Sequence, residues 1–287
     1  MRPTIAYQSV EMYNQWISMK FFSRIISQKN IAIFTQLVAA DFKIKYQGSA
    51  LGYFWSLLKP LMMFSVLYLV FGVIFRIGDS IPNYPIYLLL GIVLWSFFAE
   101  TTQNGLQAVV SREDLIKKIR IPRWIVVLST SASALINLVL NLVVVFVFAI
   151  FTGVDFGWTS LLLIIFILEI YILALGLSLL LSALYVRFRD ITYIWDVVIQ
   201  AGFYATPILY PITLITDPII LKIMILSPIA SSIQGARDAF VTSETLTISE
   251  IFNSPYAFLI PLGISLTFFV VGLLYFRKQS KYFAENL

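Results

Sequence analysis

The sequence predicts an all-α membrane protein with six transmembrane helices and an N-terminal interfacial amphipathic helix. An external re-entrant helical hairpin is expected before the last span, and both termini are expected in the cytoplasm. Three observations predict this. Of 287 residues, 60% are hydrophobic and 12% charged, with a mean hydropathy of +0.89, whereas a soluble domain carries about a quarter charged residues. The apolar residues gather in runs near the roughly 20 residues that carry a helix across a hydrocarbon core. Lysine and arginine fall almost wholly on one side of those runs.

Residues 1–56 read as a cytoplasmic N-terminus and interfacial helix. The opening "MRPTIAYQSVEMYNQW" lacks the apolar core and cleavage site of a signal peptide, so the N-terminus is expected to be retained. On a helix at 100° per residue, Lys29, Gln36, Lys43 and Gln47 fall within about 40° of one another. The rest of that circumference is largely apolar, which suits a helix lying in the interface plane; a cytosolic helix packed on another chain is the alternative. Asp41 and Lys45 break the apolar side at the i,i+4 spacing of an ion pair, with the lysine snorkelling to the headgroups. Alternatively Lys45 meets an anionic lipid or a substrate phosphate. Gly48 and Gly52 allow a turn, Tyr53 and Trp55 suit the headgroup zone, and Lys59–Pro60 sits where a span begins, a tolerated place for proline. The segment is an elbow, a lateral helix turning upright, and Asp41, Lys43, Lys45, Tyr53, Trp55 and Lys59 are its candidate residues for lateral substrate access and headgroup contact.

The transmembrane domain is expected over 57–276, with spans at 57–75, 84–102, 125–151, 160–185, 194–212 and 256–276. Pro207 and Pro211 interrupt the fifth and favour a broken or short segment there. With this layout seventeen lysines and arginines lie on the side of the termini and three, Arg76, Lys222 and Arg237, on the other. That asymmetry places both ends inside. The last outer loop, 213–255, holds "LKIMILSPIASSIQGARDAF". Ile223, Ile225 and Leu226 precede a proline break, and Ile229, Ile233 and Ala236 then recur at helical spacing. Two short helices dipping back toward the membrane fit this pattern, if the irregular backbone is buried in protein or lines a wet cavity; a loop resting on the headgroups is the alternative. Residues 277–287 form a cytoplasmic tail.

Composition excludes several chemistries. There is no cysteine and no histidine, which removes disulfides, thiolate nucleophiles, zinc sites of those ligands and histidine acid–base catalysis. The fifteen acids form no cluster that would hold a metal, and Glu169, inside an apolar run, must face a channel, stay protonated or bond across helices. The net charge of +5 follows from membrane sidedness and does not point to nucleic acid. No glycine precedes a lysine, so the chain has no phosphate-binding P-loop. If ATP drives this protein, another chain binds it. In the loop 111–123 Ser111 stands three residues before Asp114, a helix-capping spacing. The following "REDLIKKIR" predicts a short amphipathic helix with Leu115, Ile116 and Ile119 on its apolar side and Lys117, Lys118 and Arg120 on the other. It reads as a docking element, a positive-inside anchor being the alternative.

At this point a family is recognisable. "AADFKIKYQGSALGYFWSLLKPL" resembles the first segment of permease subunits of type-2 ABC exporters, more narrowly those of bacterial surface polysaccharides such as O-antigen, capsule and teichoic acid. "SREDLIKKIRIPRWIV", "YVRFRDITYIWDVVIQAGFYATPILYP" and "SPIASSIQGARDAF" resemble later segments of the same permeases, in the same order. The resemblance implies a multi-pass permease of the cytoplasmic (inner) membrane that forms a homodimer and binds two copies of a separate ATPase carrying the ATP and Mg. The cargo would be lipid-linked polysaccharide passing between the two permeases, with no cofactor on this chain and no nucleic acid as partner. Coupling to the ATPase would fall to Glu113, Asp114, Leu115, Ile116, Lys117, Lys118 and Arg120, with a second contact at Arg187, Arg189 and Asp190. The pathway would need aromatic surfaces for sugar rings. Phe64, Tyr68, Phe71 and Phe75, at i, i+4, i+7 and i+11, share one face of the first span, and Trp95, Tyr204 and Tyr210 are further candidates; the stripe could equally face lipid or a neighbouring helix. A type-2 permease for a smaller lipid or drug and a membrane glycosyltransferase are the competing readings. The glycosyltransferase would need acidic metal-binding clusters.

Overall fold

The computed structural model describes residues 27–49, 51–52, 54–118, 121–154 and 156–283. Tyr53, Ile119, Arg120 and the two chain ends lie outside the described residues. Among the described residues all regular structure is helical: an all-α membrane protein.

Helix α1 (Gln28–Tyr46) is capped by Ser27, whose side chain accepts from the Asn30 amide at 3.3 Å. The elbow follows. Gly48 and Gly52 take φ of +77° and +50°, left-handed values that residues with a Cβ adopt only at a cost. The chain then enters α2 (Phe54–Leu67), which loosens into a π-helical stretch over Tyr68–Ile74. Helix α3 (Tyr84–Gln107) leads through a 3-10 turn (Val110–Arg112) to the short α4 (Glu113–Lys118). The long α5 (Arg123–Thr152) and α6 (Leu163–Arg187) follow, then α7 (Ile191–Ala205). Beyond it come α8 (Pro218–Ile225), α9 (Pro228–Phe240), α10 (Ile248–Ile251) and α11 (Leu259–Gln279).

Among the described residues five helical segments are long and apolar enough to cross a membrane: Phe54–Ile74, Tyr84–Gln107, Arg123–Thr152, Trp158–Arg187 and Leu259–Tyr282. The pair α8–α9, bent by 90°, makes a sixth only if it is counted as one. The fifth span, expected over 194–212 as broken or short, holds a short helix. Helix α7 has 15 residues, about 22 Å at 1.5 Å per residue, short of the roughly 30 Å core. It stops because Thr206, which precedes Pro207, takes an extended conformation (φ −88°, ψ 137°), as a pre-proline residue prefers. The two short helices anticipated in the outer loop are both there. Ile233 and Ala236 of α9 are fully buried, and α9 packs on α3, α6 and α11.

Helix α3 is the centre of the bundle. Of its apolar window 78% is buried, against 6% for the α2 span. It packs on α5 and α6, and α6 in turn lies along α11. A Cβ on Gly272 would collide with the Gly176 carbonyl, so two backbones touch where side chains elsewhere keep helices apart. Helix α1 lies on α5. Its Leu37 joins a second apolar cluster with Ile116, Val126, Val186 and Phe276, so part of its apolar face is covered by its own chain.

Arg237 of α9 ties the interrupted region together. Although it belongs to the loop expected on the outer side, its side chain is fully buried. Nε donates to the Tyr87 carbonyl at 3.0 Å, Nη1 to Pro207 at 2.6 Å and Nη2 to Ile208 at 2.8 Å. The guanidinium carbon lies 3.6 Å from the centre of the Tyr87 ring. Tyr84 Oη donates to the next carbonyl, Leu209, at 2.9 Å. The non-helical backbone after α7 thus has its acceptors satisfied by side chains, which is what such backbone requires away from water.

Candidate functional site

A cavity of about 1170 Å³ opens beside the elbow, bounded by α1, α2, α3, α5 and α7. Its wall carries two polar ladders. Ser96, Glu100, Gln103 and Gln107 line it from α3 at i, i+4, i+7 and i+11. Thr130, Ser133, Asn137 and Asn141 line it from α5 at i, i+3, i+7 and i+11. Either spacing keeps all four residues on one helix face. Aromatic surface comes from Trp55, Trp95, Phe203 and Tyr204. Phe203 meets Trp95 edge-on at 6.1 Å and Tyr204 edge-on at 5.4 Å.

The ladders are joined by hydrogen bonds. Glu100 Oε1 accepts from Lys45 Nζ at 2.6 Å and from Asn137 Nδ2 at 2.7 Å. Asn141 Nδ2 donates to the Asn137 carbonyl at 2.8 Å and to the Ser56 carbonyl, just past the elbow, at 3.3 Å. Gln103 Nε2 donates to Asp196 of α7 at 3.1 Å, and Trp195 Nε1 donates to Thr102 at 3.1 Å. Arg112 pairs with Asp41. The expected Asp41–Lys45 pair within α1 is therefore corrected: each residue reaches a different element. The elbow helix is thereby fastened twice, to α3 through Glu100 and to the turn after it through Arg112.

Of the residues predicted for lateral access, Asp41, Lys45, Trp55 and Lys59 line this cavity, Lys43 is exposed and does not line it, and Tyr53 is outside the described residues. Of the predicted channel residues, Trp95 and Tyr204 line it. The stripe on the first span does not. Phe64 stacks on Tyr68 at 5.6 Å and meets Phe148 of α5 at 6.1 Å. Tyr68 and Phe71 pack against the main core and Phe75 is exposed. The reason is packing: the face that carries Phe64, Tyr68 and Phe71 is turned to Phe148 of α5 and to the main core. Tyr210 donates to the Tyr204 carbonyl at 3.2 Å and packs on the core without lining the cavity. Sequence reasoning missed Glu100, Gln103, Asn137 and Asn141. Their signal was polar residues at helical spacing inside apolar spans, where each is costly unless it faces partners or water.

In the predicted docking loop, Ser111 does not cap as expected. Its hydroxyl donates back to the Ala108 carbonyl at 3.2 Å, because α4 continues a 3-10 turn without a true N-terminus. Ile116 is buried and Leu115 half-buried in the chain's own second cluster. Asp114, Lys117 and Lys118 are exposed, with Lys117 2.5 Å from Glu113. Arg120 is outside the described residues. At the α6–α7 connection Arg187, Arg189 and Asp190 are all exposed, the two guanidinium groups each 5.2 Å from a ring centre, Phe188 and Tyr185 respectively. Glu169 bonds across helices, accepting from Ser232 of α9 at 2.9 Å.

Long apolar helices around a cavity whose wall carries polar ladders mark a multi-pass membrane protein. The chain belongs to the ABC-2 type transporter family, whose model matches residues 33–241. Three relatives are each named O-antigen export system permease protein RfbA. One, from Myxococcus xanthus, is 32% identical over 205 residues, 71% of this chain and 78% of the relative. Two, from Klebsiella pneumoniae, are 33% identical over 249 residues and 30% identical over 250, each covering 86% of this chain and 92% of the relative. The protein is thus a permease and not an enzyme.

Proposed function

We propose that this protein is the membrane-spanning subunit of an ATP-driven exporter of lipid-linked polysaccharide of the O-antigen kind, working in the cytoplasmic membrane with ATP and Mg on a separate ATPase chain. The three relatives named as O-antigen permeases support the cargo class. The observation that carries the reading is the cavity wall. Amide and hydroxyl ladders opposite aromatic rings suit a neutral chain rich in hydroxyl groups, and about 1170 Å³ exceeds the usual 300–1,000 Å³ of a small-molecule pocket. Six membrane segments are counted if α7 with its irregular extension crosses and α8–α9 dips back from outside, which leaves both termini in the cytoplasm with the basic loops. On that orientation α1 lies at the cytoplasmic interface. The α2 span is scarcely covered within one chain, which suits a homodimer meeting there. The exposed Asp114, Lys117 and Lys118, with Arg187, Arg189 and Asp190 as a second patch, are the surface offered to the ATPase, two copies per dimer. Teichoic acid and capsule remain within the same cargo class.

The test is deletion of the gene in its host and scoring of surface polysaccharide. Loss of surface polymer with accumulation of lipid-linked polymer in the cytoplasm, restored by the wild-type gene, is the expected result. Normal surface polymer in the deletion strain overturns the reading.

A further inference from the structure

Glu100 stands inside an apolar span, yet the fold supplies its Oε1 with two donors from two other helices: the Lys45 ammonium of α1 at 2.6 Å and the Asn137 amide of α5 at 2.7 Å. An ammonium and an amide converging on one anionic oxygen is also how a protein holds an oxygen of a phosphate. Lys59 and the Asp41-paired Arg112 line the same cavity. Its charged lining is therefore three cations against two carboxylates, each carboxylate engaged by a cation. A second observation points the same way. Asn137 is 3% exposed, and its Oδ1 has no hydrogen-bond partner although it belongs to the cavity wall. A buried acceptor without a donor is costly, and a ligand hydroxyl or a protonated phosphate oxygen would supply one.

We propose that Glu100 is a resident anion holding the place of a phosphate headgroup. On this account an amphiphile entering beside the elbow brings its phosphate to Lys45 and Asn137 Nδ2, with Lys59 as the further cation. Glu100 gives up both donors, and Asn137 Oδ1 gains the donor it lacks from the ligand. Helix α1 stays in place meanwhile, because Asp41 still ties it to Arg112. Exchange of one anion for another keeps Lys45 paired in either state, and the released Glu100, whose side chain is already 26% exposed, turns into the open cavity. The inference rests on the export reading only in taking this cavity as the place where the cargo's headgroup is received.

The test is binding of radiolabelled hexadecyl phosphate to the purified permease–ATPase complex in phosphatidylcholine nanodiscs. Removing the competing anion with Glu100→Gln is expected to tighten binding about tenfold, and Lys45→Gln to weaken it about tenfold. A latch of purely structural purpose would move the two variants in the same direction, and that result, or no change in either, overturns the proposal. If Lys45→Gln does not assemble with its ATPase, Glu100→Gln alone decides, since only an exchanged anion predicts tighter binding. Competition by inorganic phosphate as strong as by unlabelled hexadecyl phosphate marks a site for the free ion. Competition by phosphatidylglycerol marks a general lipid headgroup. Either places phosphate in the site. The export reading is scored separately by surface polymer, so a strain that exports normally while both variants bind alike loses this inference alone.

Discussion

Replacing Arg237 with methionine keeps an unbranched, flexible stem but shortens it, and removes the charge and the five N–H donors. Two buried carbonyls outside any helix, those of Pro207 and Ile208, would then lack a donor, whereas that of Tyr87 keeps its place in the ladder of α3. At about 1–3 kcal/mol for each acceptor left unsatisfied, the gross cost is about 2–6 kcal/mol, and loss of the desolvated contact with the Tyr87 ring adds about 2. Against this, the folded state no longer buries a charge, a relief of several kcal/mol. We expect a net destabilisation of about 3–5 kcal/mol, the size seen when one partner of a buried charged network is removed. Local structure should respond first, because the carbonyls of Pro207 and Ile208 belong to the irregular segment after α7. The chain has no cysteine, so Ile208→Cys, at a fully buried position, is a clean reporter. In an otherwise unchanged protein it should resist a maleimide; with Arg237→Met it should label at least tenfold faster, and the melting temperature in detergent should fall. Unchanged labelling and melting would refute the claim that Arg237 holds this segment.

Two further outcomes follow from the packing. Ile116→Ala should destabilise the protein by about 2–4 kcal/mol through lost burial, whereas Lys117→Glu with Lys118→Glu should leave melting unchanged and lower the amount of ATPase that co-purifies; the reverse pattern contradicts the division of α4 into inner and outer faces. Gly272→Ala, which drives a methyl into the Gly176 carbonyl, should cost about 1–3 kcal/mol as a lower melting temperature, while an exposed glycine with open space around it, Gly263→Ala, should show no such loss.

Much of the candidate site was half-legible. The elbow residues Asp41, Lys45, Trp55 and Lys59 were marked by a local change of solvent, and all four line the cavity. The spacing of the first-span aromatics shows that they share a face but not what that face meets, and Phe64, Tyr68 and Phe71 meet α5 and the core. The amide ladders escaped notice because each residue is an unremarkable polar interruption of its own span, and only α3 and α5 side by side make them a wall.

By itself the sequence determined what depends on neighbours along the chain. Run length and hydropathy set the spans, glycine set the left-handed turns at 48 and 52, proline set the end of α7 and the break between α8 and α9, and spacing of basic residues set the sidedness expected. Tertiary structure alone decided which charges meet. Lys45 finds Glu100 across 55 residues, Arg112 finds Asp41 across 71, and Arg237 finds Tyr87 across 150. A charge inside a membrane must be paired, but a sequence records only that the need exists. The answer lies in which helices the fold sets side by side.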